Sequence, residues 1–351
     1  YDENGNYATY PVEGDTNYIN LLINNKSNYR GQGQNTKVYI NPYIKITPFK
    51  GFSWESRING TLTHSRSNSF TGQGSYNFIK SGGNVETDTK ASTSQSNYYR
   101  YKWENILTYN FNIGKEHNFV VTGVSSYEHG RSEGATASGI GILNNSYLWN
   151  NLDNAVTRQS SSSYSMSKRM GWMGRINYSY LGRYLASVSV RHDGDSRLAK
   201  DEKWQTFPAF SLGWRISDEK FMESTKNWLD NLKLRVGYGE TGSTSNISPY
   251  ASTSKIEQSY LTIGGEKITT YGYSKEVANK KLTWERSKSW NIGLDAAFLN
   301  SRIDLSMDWY LTNTSNVIWH KNLPVTGGAY NSTTQYLTNV NLAETRNKGI
   351  E

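Results

Sequence analysis

Residues 302–312 are the segment that most restricts how this chain can fold. The apolar side chains of this segment occupy odd positions: Ile303, Leu305, Met307, Trp309 and Leu311. The even positions are mostly polar or charged: Asp304, Ser306, Asp308, Tyr310 and Thr312. Because successive side chains of a β-strand point to opposite faces, the segment predicts a strand with one apolar and one polar face.

The same alternation recurs along the chain and predicts eleven strands, the last of them just beginning at 347–351. Short connections near 47–51, 114–117, 181–183 and 299–301 contrast with longer polar segments near 65–96, 129–166, 241–282 and from 319, which we interpret as loops. Two further connections, near 192 and 217, are of medium length. Outer-membrane barrels have short periplasmic turns and long extracellular loops. The predicted fold is therefore all-β, an antiparallel transmembrane β-barrel. A sandwich and a propeller are disfavoured, because the strands are long and no repeat of blade length is present.

Composition restricts the alternatives. Only 35% of the 351 residues are hydrophobic, and no apolar run approaches the ~18–20 residues of a membrane helix. A barrel strand needs only ~9–11 residues, with every second one apolar. The 26 Tyr and 11 Trp suit a membrane interface or carbohydrate stacking. The net charge of +8 is scattered among acidic residues, so nucleic acid is not an expected partner.

Motifs that carry chemistry are weak. Residues 237–242 match G-x-G-x-x-G, but the segment that follows is a loop and not the helix that a nucleotide site needs. Asp193, Asp195, Asp201 and Glu202 offer oxygen ligands for Ca²⁺ without EF-hand spacing, so a solvated loop is favoured. The five His lack zinc spacing, and the chain has no Cys. We expect no catalytic residue, metal or cofactor, and hence no enzyme.

Several motifs occur in an order that resembles one family. They are Arg191–Arg197 (RHDGDSR), Trp204–Ile216 (WQTFPAFSLGWRI), Trp228–Gly242 (WLDNLKLRVGYGETG), Leu282–Glu285, Ser289–Asp295, Leu323–Pro324 with Thr326–Gly327, and Asn347–Glu351. Together they resemble the barrel of SusC/RagA-type TonB-dependent transporters. The resemblance is strong over about 170–351, whereas residues 1–169 share only the alternating pattern.

This resemblance implies a 22-stranded barrel in the outer membrane of a Gram-negative bacterium, filled by an N-terminal plug. It also implies import of oligosaccharides or peptides, a SusD-like surface lipoprotein as lid, the TonB–ExbB–ExbD system acting through the plug, and contact with lipid and lipopolysaccharide. Residues 1–351 are expected to be part of one barrel domain, with the plug and the C-terminal barrel strands absent from this chain. A non-energised porin or adhesin barrel is the alternative, and a soluble secreted β-rich binding protein is a third hypothesis.

The alternation assigns side chains to two faces. The residues expected to face the lumen or plug are Arg175, Arg191, Arg215, Lys233, Arg235, Asp295, Asp304 and Asp308. The basic ones are expected to contact the plug or favour anionic cargo. Asp304 and Asp308 lie ~13 Å apart along one strand, which exceeds the spacing of glycosidase carboxylates.

The other face is expected to contact lipid. It carries Trp172, Tyr184, Phe210, Leu212, Trp214, Leu234, Ile292, Leu305 and Trp309. A third set, the aromatic residues of the long loops, is expected to stack on sugars or meet the lid protein. Its members are Tyr147, Trp149, Tyr250, Tyr271, Tyr273, Trp319, Tyr330 and Tyr336.

Overall fold

The computed structural model describes residues 1, 5, 7–12, 16–274, 276–324, 330–331 and 334–351. Thirteen of its strands belong to one sheet, and two hairpins form separate two-stranded sheets. The pairings described in that sheet are antiparallel except for the two-residue pairing of Glu276–Val277 with Leu337–Thr338, which is parallel. Among the described residues, no helix is long and apolar enough to cross a membrane.

The strands have the following bounds. They are β1 Tyr29–Ile40, β2 Tyr43–Ile46, β3 Phe52–Thr71, β4 Lys90–Ile113, β5 His117–Ile142, β6 Ala155–Tyr180, β7 Tyr184–Asp195, β8 Trp204–Arg215, β9 Leu229–Ser243, β10 Ile256–Ile263, β11 Glu266–Tyr273, β12 Glu276–Val277, β13 Glu285–Phe298, β14 Ile303–Asn322, β15 Tyr330–Asn331, β16 Thr334–Gln335 and β17 Leu337–Ile350. Two short α-helices are α1 Tyr76–Lys80 and α2 Val85–Asp88. The 3₁₀ helices are Leu21–Ile23, Asn145–Tyr147, Leu152–Asn154, Ile216–Asp218 and Lys220–Thr225.

The chain forms two compact units. The first comprises Tyr1–Ile40, Asn59–Tyr101 and Gly130–Met166, and the second comprises Asn41–Ile58, Lys102–His129 and Ser167–Glu351. In the first unit β1 pairs with β3, from Tyr29 opposite Thr71 to Ile40 opposite Gly60. In the second unit β6, β7, β8, β9, β13, β14 and β17 follow one another in the sheet. The expectation of a single barrel domain remains a prediction.

The strands extend much further than the sequence predicts. Residues 65–96 were expected to be a loop, but β3 continues to Thr71, β4 begins at Lys90, and α1 and α2 lie between them. Residues 129–166 were also expected to be a loop, yet β5 continues to Ile142 and β6 begins at Ala155. These extensions are rich in Ser, Thr, Asn and Gln on both faces, so backbone pairing persists where the alternation of side chains has ended.

Four connections are short, as predicted: 47–51, 114–116, 181–183 and 299–302. The connections 72–89, 143–154, 244–284 and 323–336 are longer, and 244–284 contains the β10–β11 hairpin. The connections 196–203 and 216–228 have 8 and 13 residues, so short and long connections do not alternate strictly. The connection 216–228 contains two 3₁₀ helices. The three-residue turn 181–183 places Leu181 and Gly182 at φ 52° and 70°, the left-handed region that glycine adopts readily.

Each unit has a small hydrophobic core beside its long connections. In the first unit Phe70, Ala91, Ile142, Trp149 and Ala155 are buried together. In the second unit the buried cluster consists of Leu198, Phe207, Ile247, Ala251, Leu282, Trp284 and Ile318. The long connections are therefore packed structures next to the strand ends. Elsewhere the strands bury few large side chains and leave many apolar ones exposed.

Candidate functional site

One face of the second unit is apolar across adjacent strands. The register places Ala186 opposite Leu212, Leu212 opposite Val236, Val236 opposite Ile292, and Ile292 opposite Trp309. Residues directly opposite each other in an antiparallel sheet share a face. We call the face that carries this row the apolar face.

The structure places the residues expected to contact lipid in or beside such rows. Seven of them are exposed: Trp172, Tyr184, Phe210, Leu212, Ile292, Leu305 and Trp309. Trp214 and Leu234 are half-buried and lie opposite each other. Contiguous exposed apolar surface of this extent marks an interaction with a partner or a membrane.

Aromatic side chains line the apolar face at the end of the short connections. The rings of Tyr180, Tyr184 and Trp214 follow one another at centroid distances of 6.1 and 6.5 Å. Glu219, in the connection 216–228, accepts hydrogen bonds from the Tyr184 hydroxyl, from Trp214 Nε1 at 3.1 Å and from Arg183 Nη1 at 2.9 Å. These bonds, that from Tyr184 first, hold the pKa of Glu219 below its usual range. One carboxylate therefore fixes the polar ends of two aromatic rings.

A second aromatic group lies further along the same strands. Trp172 stacks on Trp204 at 5.4 Å, and His192 stacks on Trp204 at 5.2 Å. The segment of β7 from Tyr184 to His192 comprises nine residues, close to the ~9–11 residues that a tilted barrel strand needs to cross a bilayer. Two aromatic girdles separated by this distance are typical of a membrane-spanning barrel.

The opposite face of the second unit is polar and carries a charge network. The register places Arg235 opposite Gly293, and Gly293 opposite Asp308. Arg235 donates to both carboxylate oxygens of Asp295, at 2.7 and 2.8 Å, and to Asp308 Oδ2 at 3.0 Å. Ser306 donates to Asp295 Oδ1 at 2.9 Å. One guanidinium thus joins carboxylates on β13 and β14, and we call this face the polar face.

Gly293 makes the network possible. It lies on β13 between Arg235 and Asp308, and the Arg235 side chain crosses the strand at this glycine. A Cβ at position 293 would lie 2.5 Å from Asp308 Oδ1 and 2.6 Å from Arg235 Cζ. No side chain larger than hydrogen fits there while both groups keep their positions.

The other residues expected on the polar face differ in their partners. Arg191 donates to Asp193 at 2.6 Å, and Arg215 approaches Asp218 at 3.5 Å. Lys233 lies opposite both Arg215 and Asp295. Within the described part of the chain, Arg175 and Asp304 make no ion pair.

A depression of about 350 Å³ lies in the second unit beside Lys233 and Arg235. Its position follows from a row of small polar-face residues, in which Ser187 lies opposite Ser211, and Ser211 opposite Gly237. Asn291 closes the row opposite Gly237. Short side chains bordered by two cations leave room for groups of another polypeptide or of a polar ligand.

A buried carboxylate organises the end of the second unit at the long connections. Asp195 is only 1% exposed, and its carboxylate accepts hydrogen bonds from Arg169 Nε at 2.8 Å, Arg197 Nη2 at 2.7 Å and Thr244 Oγ1 at 2.8 Å. Burial alone would raise the pKa of Asp195, but the hydrogen bonds and charge of Arg197, with the Thr244 bond, hold the pKa below its ordinary value of 3.8.

This arrangement corrects the expectation of a solvated loop around Asp195. Two guanidinium groups and a hydroxyl use the carboxylate oxygens that were considered as Ca²⁺ ligands. Among the described residues, no cluster of three or more metal-ligating side chains is present. The RHDGDSR motif therefore has a structural role here, in which Asp195 joins the connection 196–203 to Thr244 at the start of the connection 244–284.

The aromatic residues expected in the long loops occupy different environments, and Trp319 lies within β14 and not in a loop. Tyr271 and Trp319 are 72% and 62% exposed, whereas Trp149 is 7% exposed and packs in the core of the first unit. Tyr147 and Tyr250 are moderately exposed, and Tyr336 is half-buried. The side chains of Tyr273 and Tyr330 lie outside the described part of the structure.

The chain is similar to known outer-membrane receptors. A family model described as "TonB dependent receptor-like, beta-barrel" matches residues 1–351. The chain is 33% identical over 249 residues to TonB-dependent receptor P3 of Formosa agariphila. That alignment covers 71% of this chain and 24% of the receptor. The chain is also 38% identical over 176 residues to TonB-dependent receptor SusC of Bacteroides thetaiotaomicron. That alignment covers 49% of this chain and 17% of SusC.

A solved structure shares the fold. The RagAB peptide transporter superposes with a TM-score of 0.79 at 20% identity, over 92% of this chain and 34% of that chain. The chain therefore belongs to the TonB-dependent receptor-like β-barrel family, and its sheet is part of such a barrel. It is similar to receptors of the SusC/RagA type, and it spans about a quarter of the length of receptor P3.

Proposed function

We propose that this chain is part of the barrel wall of an outer-membrane importer energised through TonB, with the apolar face against lipid and the polar face against the lumen. The observation that carries the proposal is the contrast between the two faces. Apolar side chains such as Leu212 are more than half exposed, whereas the polar face holds the ion pairs of Arg235. A sheet with such faces suits hydrocarbon on one side and water or a polar plug on the other.

The wall itself is proposed to perform no bond chemistry. Its polar face would hold a plug domain, and the depression beside Lys233 and Arg235 is the proposed contact site. Asp295 and Asp308 neutralise the charge of Arg235 within the wall, because both carboxylates form ion pairs with its guanidinium. Lys233, Arg215 and Arg175 are the cations proposed to meet the plug or anionic groups of cargo.

A SusD-like lipoprotein is the proposed lid, and the β10–β11 hairpin is the proposed contact. Ile256, Tyr260 and Tyr271 lie on one face of this hairpin and are 73%, 62% and 72% exposed. An isolated two-stranded hairpin is marginally stable in water, so an apolar partner would stabilise it. The proposed cargo is an oligosaccharide or a peptide. The RagAB peptide transporter, whose fold this chain shares, suggests the peptide class. The oligosaccharide class rests on the resemblance to SusC/RagA-type transporters.

Uptake by cells tests the function. Cells that express the complete receptor are incubated with labelled pools of oligosaccharides and of oligopeptides, with and without an uncoupler of the proton gradient. We expect one pool to enter only when the receptor is present, and its entry to stop when the gradient collapses. Entry that persists without the gradient would identify a passive porin, and no receptor-dependent entry of either pool would contradict import of these cargoes.

Co-purification tests the lid. The receptor with Tyr260→Ser and Tyr271→Ser should retain less of a surface lipoprotein than the wild type in mild detergent. The matched control is Thr269→Ser, which lies opposite Tyr260 in the same hairpin. Equal retention by the double variant and the control would remove this hairpin from the proposed contact.

A further inference from the structure

A small polar cavity lies in the first unit at the end of the strands near the connection 143–154. It has a volume of about 170 Å³, and its lining residues are Gln32, Gln34, Arg66, Asn68, Trp149 and Asn150. The β1–β3 register explains how they meet, because Gln32 lies opposite Asn68, and Gln34 lies opposite Arg66. Trp149 is held in place by the buried core that contains Phe70, and the Arg30 guanidinium lies 5.6 Å from the centre of its ring.

The lining offers hydrogen bonds that the protein does not use. Within the described residues, the side chains of Gln32, Gln34 and Arg66 have no hydrogen-bond partner. Asn68 is 6% exposed and accepts a hydrogen bond from the Thr93 hydroxyl at 2.8 Å, while its amide nitrogen has no partner in the described part of the chain. Four carboxamides supply both donors and acceptors, and one guanidinium supplies donors only.

This chemistry suits a sugar ring. A ring with several hydroxyl groups needs donors and acceptors at close spacing. No carboxylate lines the cavity, so it does not favour a cation. The volume admits several water molecules or one sugar ring, but not a folded partner.

The side of the sheet on which the cavity lies identifies the source of the sugar. The β1–β3 pairing continues without a register shift, so Gln32, Gln34, Arg66 and Asn68 share a face with Val38, Ile40 and Leu62. Those three apolar side chains are 47%, 56% and 40% exposed. Gln34 lies four residues from Val38, which is ~13 Å along a strand. The cavity therefore lies beyond an exposed apolar stretch on the outward face, at the height of lipid headgroups if that stretch contacts hydrocarbon.

We propose that this cavity binds a sugar ring of an outer-leaflet glycolipid such as lipopolysaccharide, with Gln32, Gln34 and Asn68 bonding the hydroxyl groups. The inference rests on the proposed membrane placement of the exposed apolar residues. Cargo that passes along the lumen meets the opposite face of the sheet and does not reach this cavity. Arg66 and Arg30 add positive charge beside it, which suits the phosphates that accompany such sugars.

The test uses the complete receptor in detergent, freed of bound lipid, and three probes: lipopolysaccharide with core sugars, lipid A without core sugars, and the free core oligosaccharide. Affinities are measured for the wild type, for the double variant Gln32→Leu/Gln34→Leu, and for Asn35→Leu. Asn35 is a matched control, because it is an exposed amide on the same strand that points to the opposite face.

We expect the double variant to bind lipopolysaccharide about tenfold more weakly, because the hydrogen bonds of two carboxamides to the sugar are lost. Asn35→Leu should bind like the wild type, and lipid A should not distinguish the proteins. Equal binding of lipopolysaccharide by wild type and double variant overturns the proposal, as does an equal loss for lipid A.

Two further outcomes are informative. One distinguishes cargo from glycolipid as the source of the sugar, and the other distinguishes failure of this inference from failure of the proposed import function. If the free oligosaccharide binds as tightly as lipopolysaccharide and the double variant also lowers uptake, the cavity serves cargo and the proposal is overturned. If uptake stays dependent on the proton gradient while all the variants bind lipopolysaccharide as tightly as the wild type, this inference fails and the proposed import function stands.

Discussion

Substitution of Gly293 by alanine tests the charge network of the polar face. The new Cβ would lie 2.5 Å from Asp308 Oδ1 and 2.6 Å from Arg235 Cζ, and both distances are shorter than any van der Waals contact. The clashing atoms are ends of flexible side chains, so the strand can keep its register while the guanidinium moves away. The cost is then the loss of the bonds from Arg235 to Asp295 and Asp308.

The size of this effect follows from the exposure of the network. The side chains of Arg235, Asp295 and Asp308 are 31%, 29% and 25% exposed, so the ion pairs are screened and contribute far less than a buried pair. Adding the strain of a misplaced side chain, we expect Gly293→Ala to lower the free energy of unfolding by about 1–2 kcal/mol. Alanine in a strand would otherwise be favoured over glycine by ~0.5–1 kcal/mol.

A double-mutant cycle isolates the cause. Unfolding of the complete receptor by urea in lipid vesicles is followed by tryptophan fluorescence for Gly293→Ala, Arg235→Ala and the double variant. In the Arg235→Ala background the guanidinium is gone and Asp308 can rotate, so Gly293→Ala should become neutral or stabilising. The control is Gly237→Ala on the same face, where the nearest atom to a new Cβ is 3.8 Å away. The reasoning would be refuted if Gly293→Ala changed the free energy of unfolding equally in the wild type and in Arg235→Ala. It would also be refuted if Gly293→Ala and Gly237→Ala had equal effects.

Two other predictions concern the ends and the faces of the strands. Because the folded pKa of Asp195 lies below its ordinary 3.8, its contribution to stability is complete above that pH and is lost as the pH falls through the folded value. The protection factors of the amides in residues 196–203, which are corrected for the intrinsic exchange rate at each pH, should therefore fall below pH 3.8. Asp195→Asn should show that low protection already at pH 7, and unchanged protection in this variant would contradict the assignment. Leu212→Lys should destabilise the receptor by ~2–4 kcal/mol in vesicles, whereas Ser211→Lys on the polar face should cost little, and equal costs would argue against lipid contact at Leu212.

The sequence predicts the central parts of the strands well, because there each face meets a different environment. In β8 and β14 the alternation of apolar and polar residues identifies both the strand and its two faces. It fails in residues 63–69 of β3 and 157–163 of β6, where Ser, Thr, Arg and Asn occupy both faces. Those segments pair through their backbones, which leaves no periodic side-chain signal.

The candidate sites depended on register, which a single sequence does not reveal. Arg235, Asp295 and Asp308 were all assigned to one face, but their contact across Gly293 requires the pairing of three strands. A glycine at a polar-face position, flanked by Ile292 and Leu294, was the available signal. The role of Glu219 as the partner of Tyr184 and Trp214 was missed, since a connection of thirteen residues gave no indication of its direction.

Accessibility of single cysteines at positions 211 and 212 tests the central claim most directly. Residues 1–351 contain no Cys, and any cysteine elsewhere in the receptor is first replaced by serine. Each position is labelled with a nitroxide in the complete receptor in vesicles, and its collisions with oxygen and with a water-soluble nickel complex are compared. The account predicts that the label at 212 meets oxygen and not nickel, whereas the label at 211 lies on the polar face away from lipid and meets little oxygen. A label at 212 that meets neither reagent would place Leu212 in a dry protein interior and contradict the assignment of the apolar face to lipid.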